Sequence, residues 1–347
     1  MSGRIIEGPY LADVLEQPKA LQNTEQALAI PPGLESLTGR LHQGELTQVV
    51  LTGMGSSFHA LHPLHLDLIG RGLASHKVET SELLLDQYPL LKAGTLLIVV
   101  SQSGASVEIV RLLDMMPRGV ELIAITNTAQ SPLASRATVS LFTQAGLEST
   151  VSCKTYLATL MAVSWLSGIL CGVDRTALRK DLQLAAPAVS LYLTEWRRHV
   201  ESLMTELVGA RSLFLTGRGA SLAAAAVGGL IIKESAHFHA EGMSSAAFRH
   251  GPFEMLSSDV FVAVFLGNAR AAALNRRLSD DIIGAGGRSR LIGPGEWGGA
   301  FCLPEAPERL RPITEMLPVE MISFALAALK GREAGKFERA SKITTVE

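Results

Sequence analysis

One seven-residue phrase occurs twice in this chain of 347 residues. Leu-Thr-Gly-Met-Gly-Ser-Ser (Leu51 to Ser57) returns as Leu-Thr-Gly-Arg-Gly-Ala-Ser (Leu215 to Ser221), matching at five of seven positions, 164 residues later. Each copy follows an apolar, strand-like run and leads into an apolar, helix-like stretch. Glycines at such a junction let the backbone turn sharply and come close to a ligand. A repeat at this offset describes two similar domains, because solenoid units recur roughly every 20–50 residues. The alternative is chance likeness between two strand–turn–helix junctions, which are common in α/β folds.

The rest of the chain fits two domains. Strand-like runs at 47–52, 76–80, 95–101, 121–126 and 139–143 alternate with helix-like stretches near 57–69, 81–87, 106–115 and 132–136, and a long helix is expected over 154–170. Uninterrupted apolar strands such as Leu96-Leu97-Ile98-Val99-Val100 suit a parallel sheet covered on both faces. The second half repeats the pattern, with strands expected at 211–216, 260–266, 288–292 and 301–303 and helices at 221–238, 269–283 and 315–330. The expected organisation is an N-terminal helical segment (1–44), domain one (45–173), a helical linker (174–208), domain two (209–330) and a polar tail (331–347). Each domain reads as a three-layer αβα unit of flavodoxin-like type with a parallel sheet.

Composition excludes several classes of function. Net charge is −2, with no basic stripe or charged tail, which argues against nucleic-acid binding. Three cysteines (Cys153, Cys171, Cys302) form no Cys-x-x-Cys pair and fit a reducing, cytoplasmic setting. Residues 1–10 lack the apolar core of a signal peptide. Thr155 to Val173 is uncharged for 19 residues, long enough to raise a membrane question. Its place within the αβ pattern makes a buried helix the better reading.

Ser101-Gln102-Ser103-Gly104-Ala105-Ser106 ends an apolar strand and opens a helix. Unpaired backbone N–H groups and the positive dipole end there favour an anion. Ser101, Ser103 and Ser106 add hydroxyls and Gln102 adds an amide. No lysine is present, so this is not a P-loop. Four polar side chains at one helix start suit a compact phosphate monoester, and Ser57 is a further donor from a neighbouring strand end. A capped turn without a ligand, with Ser103 as cap, is the alternative. In domain two, Glu234 ends the apolar stretch 223–232, where a carboxyl should hold its proton more tightly and can shuttle it. His250 precedes Gly251-Pro252, a turn from which an imidazole can face a cleft. The plainer alternative pairs Glu234 with Lys233 and leaves His250 as a cap.

Taken in order, these motifs resemble the sugar-isomerase (SIS) family, and in particular the isomerase half of glucosamine-6-phosphate synthase. The resemblance spans about residues 45–347. It is carried by Gly53-Met54-Gly55-Ser56-Ser57, Ser101-Gln102-Ser103-Gly104, Ala124-Ile125-Thr126-Asn127, Glu148 with Val151-Ser152-Cys153-Lys154-Thr155, Gly217-Arg218-Gly219, Lys233-Glu234, His239-Ala240-Glu241, His250-Gly251-Pro252 and the tail from Lys342 to Glu347. The resemblance implies that Ser57, Ser101, Gln102, Ser103 and Ser106 hold a sugar phosphate. It implies that Glu234 moves a proton between C1 and C2. It implies that His250 assists ring opening across a homodimer interface, that Lys342 reaches the sugar, and that the backbone at Val151 and Ser152 lines the same pocket. No metal or organic cofactor, nucleic acid or membrane is implied.

The chain also departs from the synthase. Ile231 stands where the synthase has a lysine assigned to the amino group, and Phe248 stands where it has a glutamate. The segment from Glu148 to Lys154 is one residue shorter, and residues 1–45 are too few for an amidotransferase domain. The expected activity is therefore isomerisation of a hexose 6-phosphate or amine release from an aminohexose 6-phosphate, with a fructosamine-6-phosphate deglycase as alternative. A phosphosugar-binding sensor without catalysis is the alternative of another class. His59, His62 and His65 recur every third residue on one helix, a poor metal-binding spacing. Cys153 reads as a small buried filler. The nicotinamide reading of Gly53-Met54-Gly55 fails because Phe58 replaces the third glycine.

Overall fold

The computed structural model describes residues 3–295, 298–339 and 342. These form two compact units. One comprises residues 19–147, 154–183 and 342, and the other 3–18, 148–153, 184–295 and 298–339. Each is built on a wholly parallel sheet.

In the first unit, β1 (Gln48–Gly53), β2 (Ser75–Glu79), β3 (Thr95–Val100), β4 (Glu121–Thr126) and β5 (Val139–Phe142) lie in the order β2-β1-β3-β4-β5. β1 and β3 pair with Val49 opposite Leu96 and Thr52 opposite Val99. Both are buried along their whole length, which is why the sequence shows unbroken apolar runs there and not alternation. The helix over Lys154–Leu170 is buried at every residue but Ser164, so the uncharged stretch is a core helix. The expected helix after β1 is broken at Leu61 into Gly55–Ala60 and His62–Gly70, where Pro63 removes a backbone donor.

In the second unit, β6 (Ser212–Gly217), β7 (Ala240–Ser244), β8 (Val260–Phe265) and β9 (Arg288–Ile292) lie in the order β7-β6-β8-β9. The expected strand at 301–303 is corrected. Cys302 makes only one bridge, to Gly293, and Gly299–Phe301 is a 3-10 turn. The fourth strand is β7 instead. The helix Leu222–Ala236 lies almost on its backbone. A Cβ on Gly242 would stand 1.9 Å from the Ala225 carbonyl oxygen, and one on Gly229 would stand 2.5 Å from the Gly242 nitrogen. Glycine is what permits this approach. Among the described residues one helical run, Glu308–Leu329, is long and apolar enough to cross a membrane, yet 94% of its apolar window is buried in the protein, as in a core helix of a large α/β domain.

Candidate functional site

In an open α/β sheet, ligands bind beyond the carboxyl ends of the strands, where the strand order reverses. In the first sheet the chain leaves β1 toward β2 on one side and returns to β3 on the other. The crevice therefore lies between the ends of β1 and β3, which are the two places where the sequence puts its glycine–serine phrase and its serine loop.

The backbone holds the two loops close. A Cβ on Gly53 would stand 2.8 Å from the Val100 carbonyl oxygen and 3.2 Å from the Phe58 nitrogen. Ser57 sits half-buried in the helix Gly55–Ala60. In the serine loop, the Gly104 N–H donates to Ser101 Oγ (3.1 Å) and the Ala105 N–H donates to Ser103 Oγ (3.3 Å). Both hydroxyls accept here and keep their own hydrogens to donate; Ser101 is buried, while Gln102, Ser103 and Ser106 are half-buried. Ser106, not Ser103, occupies the cap position of the helix Val107–Met115, and its side chain makes no capping bond. Its hydroxyl and the N–H groups of the first helical turn are the donors that an anion would meet.

Gly104 takes a left-handed conformation (φ +63°), and a Cβ there would stand 2.3 Å from Ser131 Oγ. The loop is braced from β4. Gln102 O accepts from the Asn127 N–H (3.1 Å) and from Thr126 Oγ1 (3.1 Å). Asn127 Oδ1 in turn accepts from Thr143 Oγ1 (2.9 Å) and the Ala145 N–H (2.8 Å). The Thr126-Asn127 motif is therefore scaffold for the serine loop.

Charge near the crevice is mixed. Glu108 places a buried carboxyl in the first turn of the helix after the loop. Lys77 on β2 lies 3.4 Å over the Phe58 ring, next to Ser57, and burial pulls its ammonium down to about 8. A lone lysine in an edge strand carried no mark of this in the sequence. Burial first, then Lys77 and His62, hold His59 down to about 4. His65 Nδ1 and Ser75 Oγ are bonded at 3.0 Å. Among the described residues no three His, Cys, Asp or Glu side chains are grouped to hold a metal.

The second unit carries the other expected residues. Glu234 is half-buried in the last turn of Leu222–Ala236. Its neighbour Lys233 pairs with Glu241 on β7 (3.3 Å). Ile231, one turn earlier, is fully buried, so that position offers packing and no amine. His250 ends the short helix Ser245–Arg249, with its N–H on Ala247 O (2.9 Å) and its side chain exposed. Phe248 fills the core, edge-on to Phe214 with ring centres 5.2 Å apart.

Val151 and Ser152 belong to the segment 148–153. There Glu148 Oε1 accepts from the Cys153 N–H (3.0 Å) and lies 3.4 Å from Cys153 Sγ. Cys153 is fully buried. Lys342 is half-buried and counted with the first unit, and the rest of its motif, 343–347, lies outside the described residues.

The SIS domain family profile matches residues 45–167 and 206–279, over half of the chain. The chain belongs to the SIS family. A relative from Pyrococcus horikoshii, glutamine–fructose-6-phosphate aminotransferase (isomerizing), is 30% identical over 97% of this SIS chain. The chain spans only 57% of that relative's length. Among solved structures, the C-terminal domain of glucosamine-fructose-6-phosphate aminotransferase from Francisella tularensis superposes with a TM-score of 0.81 at 19% identity, covering 95% of this chain and 98% of that one. Glucosamine-6-phosphate deaminase from Thermotoga maritima gives 0.77 at 17% identity, covering 98% and 100%. At these identities the two structures speak for the tandem SIS fold alone.

Proposed function

We propose that this SIS chain acts on a hexose or aminohexose 6-phosphate, isomerising it or releasing its amine by proton transfer between C1 and C2. The observation that carries the reading is the β1/β3 crevice, where uncapped Ser106, the N-terminus of Val107–Met115 and Ser57 gather at one switch point. A compact dianion fits that set of donors. Binding the non-reacting phosphate supplies energy to orient the reacting end of the sugar.

Glu234 is the base in this reading. An aldose–ketose interconversion passes through an enediolate and needs one carboxylate to carry a proton between adjacent carbons. Donors to the developing oxyanion come from Lys342 and the backbone at Val151 and Ser152. Ring opening falls to His250, whose exposed side chain at a helix end is available to a second copy of the chain in a homodimer. Buried Ile231 supports amine release or plain isomerisation over installation of an amine. A fructosamine-6-phosphate deglycase is the second reading, favoured by that same residue.

Incubation with fructose 6-phosphate plus ammonia, glucosamine 6-phosphate and a set of fructosamine 6-phosphates tests the proposal. Turnover of one of them, lost in Glu234→Gln with binding retained, is expected. Saturable binding without product in every case would replace the enzyme with a sensor.

A further inference from the structure

The second sheet has a switch point of its own, between the ends of β6 and β8. The repeated phrase leads into it. Gly217 is followed by Arg218 in extended backbone, Gly219 in a left-handed conformation (φ +58°), and a 3-10 turn ending at Ser221. After β8 come Gly267 (φ +73°) and Asn268, which caps Ala269–Gly284 by accepting the Ala271 N–H (3.1 Å). The two loops converge, since a Cβ on Gly267 would stand 3.7 Å from Ser221 Oγ. Two long helices, Leu222–Ala236 and Ala269–Gly284, thus begin at one crevice and bring their positive dipole ends to it.

The run Glu308–Leu329 supplies two side chains to this place. The Arg311 guanidinium donates to the Gly267 carbonyl oxygen. Glu315 Oε1 accepts from Ser221 Oγ at 2.6 Å, and Glu315 is fully buried. Its second oxygen, Oε2, is buried without a partner, and so is Arg218 Nε on the loop after β6. Burial raises the Glu315 carboxyl to about 8, against the pull of Ser221 and Arg311. At neutral pH it is an acid with a hydrogen to donate, like the hydroxyls and N–H groups around it.

The geometry points to a second oxyanion site in this crevice, for a phosphate monoester, held by Arg218, Arg311, Glu315 and the two helix starts. Arg311 spends one of its five N–H donors on Gly267 and keeps the others for the ligand. The charge balance favours a dianion over a neutral or cationic group, with two arginines and two dipole ends against a carboxyl that is not ionised. Nothing in this assignment depends on what the β1/β3 crevice binds.

Phosphate titration of the full chain tests it, with inorganic phosphate and glucosamine 6-phosphate as probes and stoichiometry read by calorimetry. Two phosphates per wild-type chain are expected. A Ser101→Ala, Ser103→Ala, Ser106→Ala variant should keep one, and adding Arg311→Gln should weaken that one at least ~10-fold, the size of a lost charged hydrogen bond. Arg218→Gln, at a half-buried side chain, decides the matter if Arg311→Gln does not fold. One phosphate per wild-type chain that the serine variant abolishes would overturn the second site. Two phosphates that neither arginine variant disturbs would overturn it as well. Failure of the first-crevice reading looks different: the serine variant would then bind as the wild type does.

Discussion

Glu315→Gln should make the protein more stable at neutral pH, and the size of the gain follows from burial. The folded carboxyl keeps its proton up to about pH 8, while its ordinary value is 4.5. Unfolding therefore releases a proton between those two values. Stability falls as pH rises through that window and levels off above it. At ~1.4 kcal/mol per pH unit, the loss at about pH 7 is roughly 3 kcal/mol. Glutamine has nearly the same shape, still accepts from Ser221 and carries no titrating proton. Its buried amide replaces an equally buried hydroxyl, so the desolvation cost of the variant is similar. Urea melts at several pH values between 4 and 9, followed by circular dichroism, give the comparison. The curves should meet near pH 4 and diverge by about 3 kcal/mol at pH 7, with the variant on top. Glu320, also buried and shifted upward, contributes equally to both curves and drops out of the difference. Parallel curves across the range would show that Glu315 is ionised in the folded chain and would remove a donor from the second crevice.

Further perturbations probe the loops and the packing. Gly104→Ala places a Cβ 2.3 Å from Ser131 Oγ at a left-handed backbone position, so phosphate affinity at the first crevice should fall at least ~10-fold with a stability loss of about 1–2 kcal/mol; unchanged affinity in titration would detach that loop from the ligand. Gly242→Ala drives a methyl to 1.9 Å from Ala225 O and should cost about 3 kcal/mol or more, read as a fall in melting temperature; a loss below about 1 kcal/mol would mean helix and strand are not in backbone contact. Glu234→Gln and His250→Ala should each be inactive alone. When co-refolded, they should recover about a quarter of wild-type turnover, because half the dimers are mixed and each mixed dimer has one intact site. No recovery would place His250 in the site of its own chain.

Much of the first sheet was readable because buried parallel strands leave a simple trace. Val49–Leu51 and Leu96–Val100 are unbroken apolar runs followed by Thr52-Gly53 and by Ser101, and they became β1 and β3. The serine loop was readable for a related reason: a helix start that binds an anion needs hydroxyls and glycine at adjacent positions. β7 left no such trace. Its residues, Ala-Glu-Gly-Met-Ser, form a partly exposed edge strand, where neither alternation nor a long apolar run is required. Residues 301–303 looked better as a strand and are not one, because β9 already closes that side of the sheet and Cys302 meets it only once. The contacts that shape the second crevice were beyond sequence. Ser221 and Glu315 are 94 residues apart, and no spacing rule links a serine after one strand to a glutamate in a distant helix. Glu320 with Gln17, 303 residues apart, is a pair of the same kind.

In the proposed reaction Glu234 moves a carbon-bound proton of a sugar held by its phosphate. Proton NMR of glucosamine 6-phosphate and fructose 6-phosphate in deuterated water reads that step directly. The wild-type chain should exchange the proton beside the carbonyl for deuterium, and Glu234→Gln should bind the same sugar and leave its proton in place. Exchange at wild-type rate in Glu234→Gln would show that another group moves the proton.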